Sequence, residues 1–245
     1  MKTVAWKNLL LIEGDNWVSK WVKESDRLDH DQWLLRRVEP YIEPDGVVVD
    51  IGAYIGDHTV AYVRWAPRGE VYAFEPNRIA FSCLVHNLIG MFGGAQKGLH
   101  IINHALGARN EYKTLYMPKP DNPGMARMAS VESTADGEQV VVDTLDSYKI
   151  SPSFIKIDVE GSELEVLDGA VETIKRGRPV MLIEYNEQAL NEYYAGWECN
   201  RPHTEEDFLA RIKSLGYRVE TFVSRDILDR APAGQKQYDL LCLPL

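Results

Sequence analysis

A chain of 245 residues, 45% apolar and 26% charged, is long enough for one large domain with a full hydrophobic core. It is scarcely enough for two and too apolar for wholesale disorder. Lysine plus arginine is 27 against 37 for aspartate plus glutamate, a net charge of −10 with no basic run, which argues against nucleic acid or an anionic membrane as the main partner.

Residues 1–44 read as an N-terminal helical extension. Within it, Val4 to Ile12 is apolar but broken by Lys7 and Asn8 and followed by Glu13 and Asp15. It is too short and too polar for a membrane span and lacks a small-residue cleavage site. Val47-Val48-Val49-Asp50-Ile51, ending at Gly52, predicts a strand buried on both faces. A helix is expected over Asp57–Trp65, stopped by Pro67 and Gly69, and a second strand over Glu70–Phe74. Asn77 then caps a helix with the apolar face Phe81, Leu84, Val85 and Leu88, ending before Gly90. Leu99–Leu106 reads as a third strand, Gly107–Gly137 as an irregular insertion, Glu138–Val142 as a short extended run and Ser153–Asp158 as a further strand. Ser162 and Glu165 look like a capping box for one helix carrying Leu164, Leu167, Val171 and Ile174, closed by Lys175-Arg176-Gly177. Val180–Glu184 is another strand and 187–203 a second insertion. Thr204 caps a helix with Phe208, Leu209, Ile212 and Leu215 that ends at Gly216, and Tyr217–Val223 and Tyr238–Leu243 finish the chain as strands. This alternation implies a single α/β domain, an open and mostly parallel sheet with helices on both faces, the last two strands adding an antiparallel pair. Cys83, Cys199 and Cys242 are odd in number, far apart and without metal-ligand spacing, so reduced thiols and a cytoplasmic location are expected.

Ligands of such sheets bind beyond the carboxyl ends of the strands. The first end reads Asp50-Ile-Gly52-Ala53-Tyr54-Ile-Gly56. A dinucleotide loop needs G-x-G-x-x-G, but Asp50 and Ile55 stand where its first and third glycines belong, and a pyrophosphate disfavours a carboxylate there. An ammonium would welcome Asp50, and a ligand carboxylate could sit at the following helix start. Glu75, at the second strand tip, can accept hydrogen bonds from both hydroxyls of a ribose. An amino acid joined to a nucleoside meets all these demands, and S-adenosylmethionine is that molecule. The bland alternative makes Asp50 and Glu75 solvated strand ends and the glycines ordinary turn residues.

Val49–Ala53, Tyr72–Asn77 and Phe154–Glu163 resemble blocks of the FkbM family of S-adenosylmethionine-dependent methyltransferases, as do Asn103–Gly107, Asp143–Asp146 and Leu182–Glu184 in the same order. The resemblance covers roughly Asp45 to Asn186, and its most specific part is I-K-I-D-V-E-G-S-E-L-E. It implies a class I methyltransferase (Rossmann-like) fold, a seven-stranded sheet with one antiparallel member near the C-terminus, and methyl transfer to a hydroxyl. Asp50, Gly52, Ala53 and Gly56 then match the loop around the methionine end of the cofactor, and Glu75 the ribose acid. Ala105 and Leu106 match the flank of the adenine, and Thr59 a recurrent His-Thr pair. Tyr54 departs from the family, standing where a small amide residue is common.

Methyl transfer from a sulfonium is an in-line displacement, and a hydroxyl acceptor must lose its proton as the bond forms. The candidates at the strand ends are Asp158 and Glu160, as base or acceptor-positioning groups, and Lys156, whose alternative is a structural ion pair. No metal is required by this reading; if one is used, Asp158 and Glu184 are its expected oxygen ligands. His30, His58, His86, His100, His104 and His203 show no ligand spacing and read as surface or hydrogen-bonded residues, His203 being the one most worth testing. Acceptor choice is expected from Trp17, Trp21 and Trp33, from Met117–Val131, and from Gln188–Pro202 with Tyr193, Tyr194 and Trp197. Helix packing or a homodimer contact is the alternative for these aromatics. The expected partner is a small-molecule or glycan acceptor. Competing functions are a non-catalytic protein that binds S-adenosylmethionine and an NAD-dependent oxidoreductase. An adenine-in-DNA methylase is disfavoured because Asp158-Val-Glu160-Gly161 replaces the aromatic N/D-P-P-Y type motif that would clamp a flipped base.

Overall fold

The two polar residues that interrupt the N-terminal apolar run are a turn. Around Lys7-Asn8, with Lys7 at φ 54°, β1 (Thr3–Trp6) folds back antiparallel on β2 (Leu9–Ile12). The extension 1–44 is therefore a hairpin followed by α1 (Val18–Ser25) and α2 (Gln32–Val38), not helical throughout. The computed structural model describes residues 1–117, 122–128, 137–194, 204–222 and 236–245; Trp197, Cys199 and His203 lie outside these.

From there the chain alternates as its periodicity implies. In order come β3 (Val47–Ile51), α3 (Thr59–Trp65), β4 (Glu70–Phe74), α4 (Arg78–Phe92) and β5 (Leu99–Ile102). Next are β6 (Ala105–Leu106), β7 (Glu111–Tyr116), β8 (Arg127–Met128), β9 (Glu138–Asp143) and β10 (Phe154–Ile157). Then follow α5 (Glu163–Asp168), α6 (Val171–Gly177), β11 (Val180–Asn186) and α7 (Glu187–Tyr194). The described chain closes with α8 (Glu205–Ser214), β12 (Tyr217–Phe222) and β13 (Gln237–Pro244).

Seven strands pair in the order β12-β13-β11-β10-β3-β4-β5, all parallel except β13, which runs antiparallel between β11 and β12. Both faces are covered. Val49, Ile51, Ile155 and Ile157 share a core with Leu164 and Ile174 and with Phe208 of α8, while Val48, Phe154 and Leu182 share another with Leu34, Leu35 and Tyr62. A strand's two-residue period therefore turns Asp50 and Lys156 toward the α2–α3 layer. From β3 the strands proceed in one direction to β4 and β5, and from β10 in the other, so the switch point lies between β3 and β10.

Five expectations need correction. Leu99–Leu106 is not one strand: it bends at Asn103-His104, and β6 joins a second sheet, β6-β9-β7-β8. That sheet also gives order to the insertion after Gly107. Helix α4 passes through Gly90 and stops at Gly93, φ 71°, a left-handed cap that glycine adopts without strain. Ser162 caps nothing; its Oγ donates to the Val159 carbonyl at 3.3 Å. The long helix expected there is two, parted at Gly169, which packs against the Gly107 carbonyl where a Cβ would lie 1.9 Å from it, and the left-handed cap after the second is Arg178 at φ 46° rather than Gly177. The second helix starts on a remote cap, the Asp146 carboxylate accepting from the Thr173 N–H at 2.7 Å and the Glu172 N–H at 3.1 Å.

The hairpin is tied to the site through Asn87 of α4. Its amide accepts from the Leu10 N–H at 2.7 Å and donates to the carbonyls of Leu10 (3.1 Å) and Ile55 (2.9 Å), so one fully buried side chain joins β2 to the glycine loop.

Candidate functional site

Beyond the carboxyl ends of β3, β4, β10 and β11 lies one crevice. It is walled by the N-terminal unit on one side and by the second sheet on the other. Gly52 reaches it at φ +83°, and a Cβ there would meet the Asp158 carbonyl at 1.8 Å, so glycine lets the β3 loop and the β10 tip touch.

Asp50 does not face the crevice. It is 0% exposed, accepts from Thr59 Oγ1 at 2.6 Å, and lies 3.6 Å from Lys156 Nζ, so the ammonium beside it is the protein's own. Lys156 Nζ also contacts Asp158 Oδ2 and the Gly52 carbonyl, each at 3.2 Å. Burial works against that charge, but the Asp158 and Asp50 carboxylates outweigh it and hold the lysine pKa well above its ordinary value. Lys156 stays protonated at neutral pH and serves as an ion-pair hub rather than a base. Ala53, Gly56 and Thr59 are buried behind the crevice wall with Asp50; Gly52, Glu75, Ala105 and Leu106 line it.

Glu75 is fixed at the β4 tip. Its Oε2 accepts from the Tyr54 N–H at 2.9 Å and its Oε1 from the Asn77 N–H at 2.8 Å, and burial pushes its carboxyl up to about 7. A carboxylate oxygen carries two lone pairs, so each keeps one for a hydroxyl. Next to it, Phe74, Ala105, Leu106, Leu115 and Met128 form an apolar slot.

Tyr54 adopts φ +49°, a left-handed conformation uncommon outside glycine. Its hydroxyl donates to Asp15 Oδ2 at 2.9 Å, and the same carboxylate accepts from the N–H groups of Ser19 (2.7 Å) and Trp17 (2.9 Å) at the start of α1. Asp15 is thus a support of the crevice wall that the sequence pattern does not reveal; an aspartate just ahead of an amphipathic helix is its only signal. Tyr54→Phe is expected to destabilise the fold by about 1 kcal/mol in urea unfolding, the worth of one such bond. An unchanged midpoint would contradict the anchoring.

The aromatics divide. Trp17 lines the crevice, while Trp21 packs edge-on to His30 at 4.9 Å and Trp33 lies under the Arg37 guanidinium at 4.2 Å. Tyr193 and Tyr194 are buried and pack on each other, and the Tyr193 hydroxyl accepts from Lys113 Nζ at 2.9 Å. Of Met117–Val131, the described residues Asn122, Pro123, Gly124, Ala126 and Met128 line the crevice.

Among the described residues, two groups of potential metal ligands face the crevice, each with donor atoms within 4.8 Å of one another: His30, Asp57 and His58; and Asp158, Glu160 and Glu184. The first corrects the expectation for the histidines. His58 is 9% exposed, its Nδ1 has no hydrogen-bond partner among the described residues, and burial with the nearby Lys156 charge pushes its pKa well down. Burial pushes Asp57 up to about 7. His104 does hydrogen-bond, through Nδ1 to Asp143 Oδ2 at 2.7 Å.

The second group adds Glu160 to the expected pair. Glu160 takes φ +56°, in a turn closed by Glu163, whose Oε1 accepts from the N–H groups of Gly161 (3.0 Å) and Val159 (3.3 Å). Glu184 accepts from Gln237 Nε2 at 2.8 Å through Oε1, while its buried Oε2 has no hydrogen bond among the described residues. Asp239, the register partner of Glu184 across β11 and β13, is a crevice residue that sequence patterning could not place, because strand pairing is not written in either strand. Burial, then the charge of Asp158, pushes Asp239 up to about 8 and raises Glu184 well above the usual range.

A family model described as the methyltransferase FkbM domain matches residues 50–219. A hexuronic acid methyltransferase, AglP, of Haloferax volcanii is 25% identical over 184 residues, covering 71% of this chain and 74% of that protein. Among solved structures, methyltransferase FkbM from Methylobacillus flagellatus superposes with a TM-score of 0.54 at 18% identity, covering 81% of this chain, which spans 44% of that one. A Streptococcus mutans chain described as a candidate methyltransferase and solved with SAH superposes with a TM-score of 0.51 at 10% identity, covering 87% of this chain and 97% of that one. These two likenesses show the fold.

Proposed function

The chain belongs to the methyltransferase FkbM domain family, and from that premise we propose that it transfers the methyl group of S-adenosylmethionine to a hydroxyl oxygen of a small-molecule or glycan acceptor. The observation that carries this reading is the two-ended crevice: a carboxylate aimed by two backbone N–H groups beside an apolar slot at one end, and Asp158, Glu160 and Glu184 at the other.

At the first end, Glu75 accepts from the ribose hydroxyls, and the slot formed by Phe74, Ala105 and Leu106 encloses the base. Asp57 offers a partner for an ammonium and the His58 ring a hydrogen bond for a carboxylate, so the middle of the crevice suits a zwitterion. S-adenosylmethionine, when bound, supplies an electrophilic methyl carbon on a sulfonium. Asp158 at the β10 tip and Glu160 just after it then hold the acceptor hydroxyl in line and take up its proton as the O–C bond forms and the C–S bond breaks. Among the described lining residues, Lys156 is the one lysine, set against Asp31, Asp57, Glu75, Asp158, Glu160, Glu184 and Asp239. That excess favours a neutral polyol over an acidic acceptor such as the hexuronic acid in the relative's name.

The test is transfer of labelled methyl to a panel of polyhydroxylated acceptors, with the product checked for an ether linkage. Asp158→Asn is expected to lower kcat about 100-fold, as loss of a general base does, with binding of S-adenosylhomocysteine little changed. Labelled nitrogen or carbon, or an unaffected kcat, would overturn the proposal; binding without transfer to any acceptor would favour a non-catalytic role.

A further inference from the structure

We infer that Asp158, Glu160 and Glu184, backed by Asp239, form a binding site for a hard divalent cation, Mg²⁺ or Mn²⁺, at the acceptor end of the crevice. Cation binding itself is independent of the proposed reaction; the use made of it rests on that reading. The three carboxylates come from the β10 tip, the turn after it and β11, and each presents an oxygen within 4.8 Å of the others. Such a cluster is common on protein surfaces, but this one has a buried backing. Asp239 is 7% exposed, faces the crevice opposite Glu184, and has no hydrogen bond or ion pair among the described residues. Oε2 of Glu184 is buried and equally unsatisfied.

Buried acidic groups left this way are costly unless a counter-charge arrives, and the neighbouring cations are committed. Lys156 is held by Asp50, Asp158 and the Gly52 carbonyl. Arg127 pairs with Glu192 and stands 3.9 Å from Glu160. Among the described residues, neither makes an ion pair with Glu184 or Asp239.

An all-oxygen donor set selects magnesium, manganese or calcium over zinc or copper, and Mg²⁺ in particular keeps several coordination positions for water or substrate. Two neighbouring acceptor oxygens can take those positions. The cation then lowers the pKa of the attacking hydroxyl, whose proton passes to a carboxylate or to water while O–C forms and C–S breaks. It also offsets the negative wall.

The test uses the full chain, freed of metal, titrated with Mn²⁺ and followed by the electron paramagnetic resonance signal of the free ion. One site with a dissociation constant between about 10 µM and 1 mM is expected, competed by Mg²⁺. Glu184→Gln should weaken it about tenfold or more and Asp239→Asn several-fold, the range seen when ligands or their supports are lost, while His58→Ala leaves it unchanged. Both charge-removing variants should unfold at a higher temperature than wild type in chelator, which separates loss of a ligand from loss of the fold.

No saturable Mn²⁺ site in wild type would overturn the inference. So would binding that survives Glu184→Gln but is lost in His58→Ala, which would put the ion on His30, Asp57 and His58. Calorimetry with S-adenosylhomocysteine in chelator runs alongside: binding there without any Mn²⁺ site removes the cation and leaves the proposed reaction standing, whereas absence of S-adenosylhomocysteine binding removes the reaction whatever Mn²⁺ does.

Discussion

Glu75→Gln is expected to weaken S-adenosylhomocysteine binding about 100-fold, measured by calorimetry. Two hydroxyl donors to a carboxylate are worth about 1.5–3 kcal/mol each, and one such bond lost with the other reduced reaches that factor. Both carboxylate oxygens are aimed by backbone N–H groups, of Tyr54 and Asn77, so the acceptor directions are set before a ligand arrives. The glutamine turns one of those oxygens into a donor facing an N–H. Thermal unfolding recorded in parallel separates that local cost from lost ligand contacts.

A proton accompanies the effect. Burial raises Glu75 to about 7 in the free protein, and hydroxyl donors favour its ionised form. Binding therefore lowers that pKa and releases a proton when the pH is near or below 7. Affinity should rise with pH through this range and level off above it, with the released proton visible as a dependence of the binding heat on buffer ionisation enthalpy. The glutamine variant should lose both signatures. Affinity and proton release unchanged by the substitution would remove Glu75 from the ligand.

Lys156→Met should destabilise the fold by about 3–5 kcal/mol in urea unfolding, because it strands a carboxylate that has no access to solvent. Asp50 is fully enclosed and has Thr59 as its other partner among the described residues, at 2.6 Å, too little to hold a buried charge alone. Adding Asp50→Asn to the lysine variant should recover a large part of the loss, since the neutral pair leaves no uncompensated ion. A lysine acting chiefly as a base would behave differently, with activity lost and stability within about 0.5 kcal/mol of wild type. That result would reverse the assignment made from its three contacts.

The central layer was legible because each element declares itself locally. Val47–Ile51 has the β-branched run of a strand buried on both faces, Glu70–Phe74 stands as expected, and Thr204 caps α8 in a complete box with Asp207. What escaped depends on partners distant in the chain. The start of α6 is dictated by Asp146, the pose of Tyr54 by Asp15, and the acid beside Glu184 by the antiparallel register of β13. Charge placement failed for a related reason. The glycine-loop spacing located Asp50 correctly at the strand end but could not say that Lys156, in register on the next strand, would take the place intended for a ligand's ammonium.

Gly52 couples what the crevice keeps chemically apart. With the β3 backbone resting on the Asp158 carbonyl at a distance no side chain tolerates, the two ends of the crevice, donor and acceptor halves in the proposed reaction, share one joint. Widening one half to admit a bulkier compound would displace the other and spoil the straight path between leaving and entering atoms. Room for new acceptors therefore has to come from the rim formed by the small second sheet, because the hairpin-bearing unit is itself tied to the glycine loop through Asn87 and Tyr54.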